Sequence, residues 1–567
     1  MNRLLVLACA LLAACAPKPP AEPAPSVLIV TIDTLRADRV GTYGDDKART
    51  PAMDGLAKAG VVFERAFTPV PITLPAHVSL MTGLLPPAHG VRGNGSFVLG
   101  SGPATLAEVM KKSGRQTAAF IGGFPLSRRF GLSRGFDVYD DSVTKADGVN
   151  YDFAERRADV VVERALAWLV ANPGPSFVWV HLFDPHAPYD PPEAFRTGDP
   201  YRDEIASADA SLGRLISAWD ARAGKSLVVV TSDHGEAFGE HGEWSHSLFV
   251  YDTTLHVPLI VRGKGFEPGR KSQVSVSLVD VAATLAEFTG STGLMPGVSL
   301  TSALKPGAVG RPLYAETLSP RLDFGWSELR SWRADGFKWI RAPKPELFSL
   351  ADDRGEETNL VSTDPKRGRV LDGALSTALT TMGEKSAAQT ADPETVERLR
   401  SLGYVQGTGG KGSGADPKDN VELAKRIAQA AGPFKDWDEA IVAYRSLVKL
   451  DPENPLLNLR LADALLRSGQ VEASLPHFAR VIRSGSNTAD PYVGQGTALA
   501  QLNRLKEARA VLESGLKVAP ASGQLHFNLG EIARIEGRQS DAIREFEAAT
   551  ADPATKERAK ARLATLR

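Results

Sequence analysis

The chain is poor in cysteine and in net charge. It has 567 residues but only two cysteines, Cys9 and Cys15, and its formal net charge is -1 at pH 7. Two cysteines at the amino terminus exclude a disulfide framework and a cysteine-ligated metal site in the rest of the chain. A balanced charge gives no electrostatic reason to expect nucleic acid as a partner. With 43% hydrophobic residues, the chain is long enough to form two or more domains with sizeable cores.

The amino-terminal segment has the pattern of an export signal. Residues 1–15, MNRLLVLACALLAAC, combine Arg3 with an apolar run too short to span a bilayer and end in small residues. The segment LLAAC resembles a bacterial lipoprotein box, which implies cleavage before Cys15 and lipid attachment to its thiol. Together with Ala16, it predicts a protein of the bacterial cell envelope, anchored in the outer membrane and facing the periplasm. Residues 16–25 are rich in proline and predict a tether. An ordinary cleaved signal is the alternative.

The carboxyl-terminal part of the chain repeats with a period of 34 residues. Small residues recur in two columns and an aromatic residue or leucine in a third, in frames that start at Val421, Pro455, Ala489 and Gly523. This pattern resembles the tetratricopeptide repeat, which implies an all-α solenoid over residues 421–567 and a protein partner. A plain helical bundle is the alternative. The glycine-rich stretch before the repeats predicts a linker over residues 386–420, which leaves residues 26–385 for a catalytic domain.

Three apolar runs in that domain end in residues that bind metals or transfer protons. They are SVLIVTI, SFVWVHL and SLVVVTS, which begin at Ser26, Ser176 and Ser226. Continuous apolar runs predict strands of a parallel sheet buried on both faces. Ligands of such sheets bind at the carboxyl ends of the strands, where this chain has these polar residues: Asp33, His181, Asp184, His186, Asp233 and His234. Because buried ionisable groups need partners, we expect an α/β domain with a metal or catalytic site at this edge.

Five motifs carry a resemblance to a known family. They are TIDTLRADRVGTYG, PITLPAHVSLMTG, DPHAPY, TSDHGEAFGEHGEWSH and ELFSLADDRGEETNL. Together they resemble the sulfatase branch of the alkaline phosphatase superfamily, which implies a central, mostly parallel sheet with flanking helices and a metal site that cleaves sulfate or phosphate esters. The motif match implies four ligands for a divalent cation: Asp33, Thr73, Asp233 and His234. Thr34 stands where sulfatases commonly have a second aspartate. One carboxylate fewer and a histidine favour Zn²⁺ or Mn²⁺, with Ca²⁺ and Mg²⁺ left open.

Thr73 stands where sulfatases carry the cysteine that is oxidised to formylglycine, and His77 stands where they carry an arginine. Formylglycine is therefore excluded. Metal coordination would lower the pKa of the Thr73 hydroxyl, so we expect it to act as the nucleophile. The helix after it is expected to aim free backbone N–H groups at the anionic ester. A role for Thr73 as a mere helix N-cap is the alternative.

Nucleotide pyrophosphatases/phosphodiesterases use a threonine in a similar frame. Their resemblance implies that Asn94, 21 residues beyond Thr73, binds an oxygen of the substrate. These enzymes hold a second metal through an Asp-x-x-x-His element, and Asp184 has no histidine four residues on. We therefore expect no complete second site of that type.

Two histidines are expected to stabilise or protonate the leaving group of the ester. His186 matches a sulfatase histidine that contacts the ester, and His246 stands where sulfatases have a lysine. Both are therefore predicted to bind substrate and to act in catalysis, because histidine titrates near neutral pH. His181, His241 and His256 are predicted to be structural.

The sequence thus predicts a metal-dependent hydrolase of phosphate or sulfate esters that transfers the group to Thr73 and then to water. An envelope glycan, a lipid or a nucleotide would be its substrate. Three alternatives stay open: a strict sulfuric ester hydrolase, a transferase of phosphoethanolamine or phosphoglycerol type, and an inactive enzyme domain that serves as an assembly scaffold.

Overall fold

A computed structural model describes most of the chain. The described ranges are 24–142, 155–222, 224–291, 293, 295–385, 412–430, 434, 436–486, 488–552 and 555–566. The predicted signal, Cys15, most of the tether and residues 386–411 of the predicted linker lie outside them. In the described part of the chain, no helix is both long enough and apolar enough to cross a membrane.

An eight-stranded sheet forms the centre of the N-terminal domain, in the order β10-β2-β9-β7-β1-β6-β4-β5. All its strands are parallel except β9, which runs antiparallel to both of its neighbours. The strands are β1 Ser26–Ile32, β2 Val61–Phe63, β4 Gln116–Ile121, β5 Val138–Asp140, β6 Ser176–Leu182, β7 Ser226–Ser232, β9 Leu259–Gly263 and β10 Arg270–Ser272. The predicted mostly parallel sheet is confirmed, and the three apolar runs form its adjacent central strands β7, β1 and β6.

Alternate residues of the central strands enter two different cores, which explains why the runs are continuously apolar. In β1, Val27 and Ile29 belong to one core, and Leu28 and Val30 belong to the other. Helices cover both faces of the sheet: α1 Pro51–Lys58, α2 Thr73–Thr82, α3 Pro86–His89, α4 Leu106–Lys112, α5 Ala158–Ala171, α6 Pro200–Asp220, α7 Asp252–Leu255 and α8 Val279–Phe288.

Two smaller sheets complete this domain. The first has three short strands, β3 Ala66–Phe67, β8 His256–Val257 and β11 Val276–Ser277. The second is antiparallel and comprises β12 Leu313–Thr317, β13 Leu329–Ala334, β14 Phe337–Arg341 and β15 Glu346–Ser349. Helix α9 Ser319–Phe324 lies between β12 and β13 in the chain, and helix α10 Pro365–Met382 follows β15.

The C-terminal part is all helical. Its helices are α11 Val421–Gln429, α12 Trp437–Val448, α13 Pro455–Arg467, α14 Val471–Arg483, α15 Asp490–Gln501, α16 Leu505–Val518, α17 Gly523–Ile535, α18 Gln539–Ala549 and α19 Lys556–Leu566. The first helix of each pair starts within one residue of the predicted frames. Small residues recur because the paired helices touch: a Cβ on Gly496 would lie 2.6 Å from Leu512, and one on Gly530 would lie 2.8 Å from Phe546.

The last part of the predicted linker packs against the N-terminal domain. The backbone N–H of Ser327 donates to the carbonyl of Ala415 at 2.9 Å, and the indole of Trp326 donates to Asp451 at 3.0 Å. Trp326 and Phe348 share one apolar core with residues of α11 to α13 such as Leu457. The first repeats are therefore joined to the N-terminal domain by a common core.

Candidate metal and active site

Three neighbouring strands bring the candidate site together. Thr31 in β1 is in register with His181 in β6 and with Thr231 in β7. Asp33 and Asp233 each follow two residues later, so both carboxylates reach the same edge of the sheet. Thr73 is the first residue of α2, and its side chain is fully buried.

The predicted ligands form a compact cluster. Ligand atoms of Asp33, Asp233 and His234 all lie within 4.8 Å of one another. The His234 Nε2 atom lies 3.3 Å from Asp233 Oδ2 and 3.7 Å from Asp33 Oδ1. Thr73 Oγ1 lies 3.4 Å from the same nitrogen. Two donors bound tetrahedrally to one zinc ion stand roughly 3.4 Å apart, so these distances fit the edges of a ligand polyhedron.

The electrostatics of the cluster also fit a cation. Both oxygens of Asp33 and Oδ2 of Asp233 are buried and accept no hydrogen bond from any described residue. Burial raises the pKa of Asp33 to about 7, and burial together with the charge of Asp33 raises the pKa of Asp233. Two buried carboxylates with unused lone pairs are costly unless a cation neutralises them. The residues therefore fit a divalent ion.

His234 is oriented for ligation. Its Nδ1–H donates to the carbonyl of Gly235 at 3.0 Å, which leaves Nε2 directed at the two carboxylates. A hydrogen bond of this kind fixes the tautomer of histidines that bind metals. Burial disfavours the charged ring, but Asp233 and Asp33 outweigh it and raise the pKa of His234.

The side chain of Asn94 caps the N-terminus of α2. Its Oδ1 accepts the backbone N–H of Leu74 at 2.9 Å. Pro75 has no N–H, and the N–H of Ala76 donates to the carbonyl of Ile72 at 3.0 Å. The expected row of free N–H groups at this helix start is therefore wrong, because Asn94 and the helix itself use the N–H groups of Leu74 and Ala76.

The two predicted catalytic histidines border the cluster. The ring centre of His246 lies 4.4 Å from that of His234 and 5.4 Å from that of His186. Nδ1 of His246 lies 3.2 Å from Oε1 of the buried Glu236, and Nδ1–H of His186 donates to the carbonyl of Ala187 at 2.6 Å. Burial lowers the pKa of His186 to about 3 and also lowers that of His246. Burial therefore favours the neutral form of both rings.

Thr34 and Asp184, two residues of the motifs outside the predicted ligand set, have local structural contacts. Thr34 has a left-handed backbone with φ of 52°, and its hydroxyl donates to the carbonyl of Pro185. Its backbone N–H, not its side chain, reaches Asp233 Oδ1 at 3.3 Å. Asp184 accepts the N–H of Ala158 at 2.8 Å and so holds the start of α5.

Two histidines that were not predicted to be ligands or catalytic residues also lie at this site. Nε2 of His181 lies 3.5 Å from Asp33 Oδ2, and Nδ1 of His77 lies 3.6 Å from Asp233 Oδ2. His181, which was predicted to be structural, therefore lies beside the cluster. Its place near the end of an apolar run was the available sequence signal, and the register of β1 and β6 puts it beside Thr31 on the face that carries Asp33. His256 donates to the carbonyl of Glu64, and His241 stacks on Tyr251, both outside this cluster.

Comparison with known proteins decides the family. A family model described as Sulfatase matches residues 25–291, and two tetratricopeptide repeat models match residues 434–494 and 493–555. The N-terminal domain belongs to the sulfatase family of ester hydrolases. The predicted tetratricopeptide repeats follow this sulfatase domain.

Relatives of the sulfatase domain include arylsulfatase K of Xenopus laevis, which is 30% identical over 187 residues, or 30% of this chain and 34% of that protein. The uncharacterized sulfatase YidJ of Escherichia coli strain K12 is 23% identical over 416 residues, or 59% of this chain and 83% of that protein. The structure of the phosphonate monoester hydrolase of Agrobacterium radiobacter matches with a TM-score of 0.51 and 22% identity, over 63% of this chain and 95% of that chain. At this identity, the structural match indicates a common fold.

Proposed function

We propose that the sulfatase domain is a metal-dependent hydrolase of phosphate or sulfate esters with the Thr73 hydroxyl as nucleophile. The observation that carries the proposal is the position of Thr73 Oγ1, 3.4 Å from His234 Nε2 at the edge of the buried carboxylate cluster. A divalent cation held by Asp33, Asp233, His234 and Thr73 would lower the pKa of that hydroxyl and neutralise charge on the ester. Thr73 would take the phosphoryl or sulfuryl group, and water would then remove it.

The other residues of the site would bind the ester and the leaving group. Because Asn94 Oδ1 accepts from Leu74, its NH2 group would be the donor to an ester oxygen. His186 and His246 lie beside His234, where an anionic ester would favour their protonated forms. A protonated ring donates to the leaving oxygen, and Glu236 holds Nδ1 of His246 for that task.

Phosphate esters are the favoured substrates, because the site has a threonine where formylglycine chemistry needs a cysteine. Strict sulfuric ester hydrolysis is the second candidate, favoured by the relatives that are sulfatases by name. Transfer to an alcohol of an envelope glycan or lipid would use the same first step. The inactive-scaffold alternative is weakened by the presence of all four proposed ligands in one buried cluster.

The test compares kcat/KM for matched 4-nitrophenyl phosphate, phosphodiester and sulfate after loading with Zn²⁺ or Mn²⁺. We expect a phosphate ester to be the best substrate. Thr73→Ala should lower kcat by about 10³-fold or more, whereas Thr73→Ser should keep measurable turnover. Thr82→Ala is the matched control, because Thr82 lies in the same helix and bonds Val78. Full activity of Thr73→Ala would refute the nucleophile assignment.

We also propose that the protein is a lipoprotein of the bacterial cell envelope, anchored through Cys15 in the outer membrane, whose repeats bind a protein partner. The lipoprotein-box resemblance and the repeat family support these proposals. Radiolabelled palmitate should enter the wild-type protein but not Cys15→Ser. Label in both proteins, or in neither, would contradict the anchor.

A further inference from the structure

One loop carries both His246 and the residue that orients its ring. This loop, residues 236–246, is called here the histidine loop. It begins at Glu236, whose Oε1 lies 3.2 Å from Nδ1 of His246. Its two arms lie side by side, because the backbone N–H of Ala237 donates to the carbonyl of Ser245 at 2.7 Å. The position of the His246 ring therefore depends on how the histidine loop is held.

The histidine loop contains a backbone conformation that side chains disfavour. His241 at its tip and Ser247 directly after it have left-handed backbones, with φ of 52° and 80°. Residues other than glycine adopt this conformation rarely, and they keep it where surrounding contacts impose it. Contacts with other parts of the chain are therefore needed to hold the loop in its observed shape.

Helix α11 makes such contacts at the tip and at one arm of the histidine loop. A Cβ on Gly242 would lie 2.9 Å from Cγ1 of Val421, so the helix packs directly against the loop backbone. The ammonium of Lys425 lies over the ring of Trp244, 5.1 Å from its centre. Val421 and Lys425 are four residues apart and so lie on one face of the helix. One face of α11 therefore contacts the loop twice.

The same helix also contacts the chain that leaves the histidine loop. Leu423 and Ile427 of α11 share an apolar core with Leu248, which follows His246 by two residues. The buried carboxylate of Glu243 connects Leu248 to the loop, because its Oε1 accepts the Leu248 N–H at 2.7 Å. Helix α11 thus contacts the chain on both sides of His246.

We propose that α11, the first helix of the C-terminal part, positions His246 for its task at the leaving group of the ester. The inference rests on the proposed function, which gives His246 that task. Val421 and Lys425 act on catalysis through the histidine loop, and so they are positioning residues. A displacement of roughly 1 Å can lower a catalysed rate about 10²-fold. The C-terminal part is therefore a component of the active enzyme.

The first test compares phenyl phosphate with 4-nitrophenyl phosphate as substrates of the zinc-loaded full chain. Phenolate is the poorer leaving group, so its ester depends more on a donor at the leaving oxygen. Val421→Ala combined with Lys425→Ala should lower kcat about 10-fold more for phenyl phosphate than for 4-nitrophenyl phosphate. A smaller folded fraction would lower both rates equally and leave their ratio unchanged.

The matched control is Val442→Ala combined with Lys506→Ala, at two exposed positions of the C-terminal part. It removes the same side chains away from the histidine loop and should keep the wild-type ratio. A wild-type ratio in the α11 double variant as well would overturn the positioning role of α11.

A His246→Asn background shows whether α11 acts through His246. This substitution should change the ratio by itself, and the α11 substitutions should then change it no further, because effects that act through one residue are not additive. If they change the ratio equally with and without His246, the inference is overturned. If His246→Asn alone leaves the ratio unchanged, the proposed role of His246 fails instead, so the two failures are distinguishable.

The second test needs no substrate. Hydrogen exchange of the full chain, followed by mass spectrometry, reports on the bond between Ala237 and Ser245 that joins the arms of the histidine loop. Exchange of the Ala237 N–H should be about 10-fold faster in the α11 double variant than in the wild type or the control. Wild-type exchange in the α11 variant would overturn the inference, whatever the activities show.

Discussion

At the scale of one residue, the buried carboxylate of Asp33 lowers the stability of the metal-free protein and provides a ligand for a cation. Its carboxylate is fully buried, and burial raises its pKa to about 7 from an ordinary value of 3.8. In the metal-free protein, the folded state therefore holds this proton more tightly than the unfolded state does. The stability that this bound proton contributes to the folded state is fully present below pH 3.8 and is lost as the pH rises through about 7.

We therefore predict that metal-free wild-type protein becomes less stable than metal-free Asp33→Asn as the pH rises from 5 to 8. The amide removes the buried charge and the titration. Thermal unfolding of both proteins in a chelator, across this pH range, measures the difference. Saturating Zn²⁺ should reverse the order, because only the carboxylate binds the ion well. A difference in melting temperature that does not change with pH would contradict the account of Asp33.

The positions of individual ligands could be predicted from the sequence where a motif identifies the residue. Asp33, Thr73, Asp233 and His234 were named from motifs and lie together in the structure. His181 was named at the edge of the sheet but was predicted to be structural, because its position 3.5 Å from Asp33 Oδ2 depends on strand register, which no local pattern records.

At the scale of elements, a buried ion pair fixes the loop that carries Asn94. The guanidinium of Arg92 donates to both oxygens of Glu316 in β12, at 2.5 and 2.9 Å, and both side chains are buried. Asn94 lies two residues after Arg92, so the pair connects the loop that carries Asn94 to the antiparallel sheet. A charge left alone in this place would be poorly solvated.

Arg92→Met should therefore lower the free energy of unfolding by about 3–5 kcal/mol, because it leaves the Glu316 carboxylate buried without its cationic partner and with only the Tyr314 hydroxyl as a donor among the described residues. Denaturant titration measures the change. Glu267→Ala is the matched control: it breaks an exposed pair with Arg270 and should cost less than about 1 kcal/mol. Equal effects of the two variants would show that the buried pair does not hold the loop.

The central strands and the repeat helices were predictable from periodicity, because both signals lie within one segment of sequence. The antiparallel strand β9 and the four-stranded sheet were not predicted. The strands of the four-stranded sheet pair with their neighbours in sequence but have only four to six residues each, so their periodicity is a weak signal. Strand β9 pairs with β2, which lies much earlier in the chain. Pairing of that kind depends on tertiary contacts more than on local propensity.

At the scale of the whole molecule, the repeats and the sulfatase domain are one packed unit. Trp326 is 2% exposed, stacks on Phe324 and shares a core with Leu456 and Leu457 of α13. Composition predicted a linker up to residue 420, but residues 412–420 carry hydrogen bonds to the sulfatase domain, including Lys344 N–H to Asp416 at 2.8 Å. Glycine-rich composition does not reveal such docking.

Trp326→Ala should consequently destabilise the full chain by about 3–5 kcal/mol, because it opens a cavity between the two domains. Trp437→Ala is the control, since Trp437 is 45% exposed in the repeats and a substitution there should change stability by about 0.5 kcal/mol. Limited proteolysis should also cut Trp326→Ala near residues 412–420 faster than the wild type. Wild-type stability and cleavage of Trp326→Ala would mean that the domains are independent.

The most direct measurement is to locate a covalent phosphoryl group on the protein during turnover. The zinc-loaded protein is mixed with excess 4-nitrophenyl phosphate and quenched in acid within milliseconds, and its peptides are then sequenced by mass spectrometry. We predict that one phosphoryl group is attached to Thr73, and that Thr73→Ser carries it on the serine. A phosphoryl group on another residue, or a burst of nitrophenol from a chain that carries no adduct, would contradict Thr73 as the nucleophile.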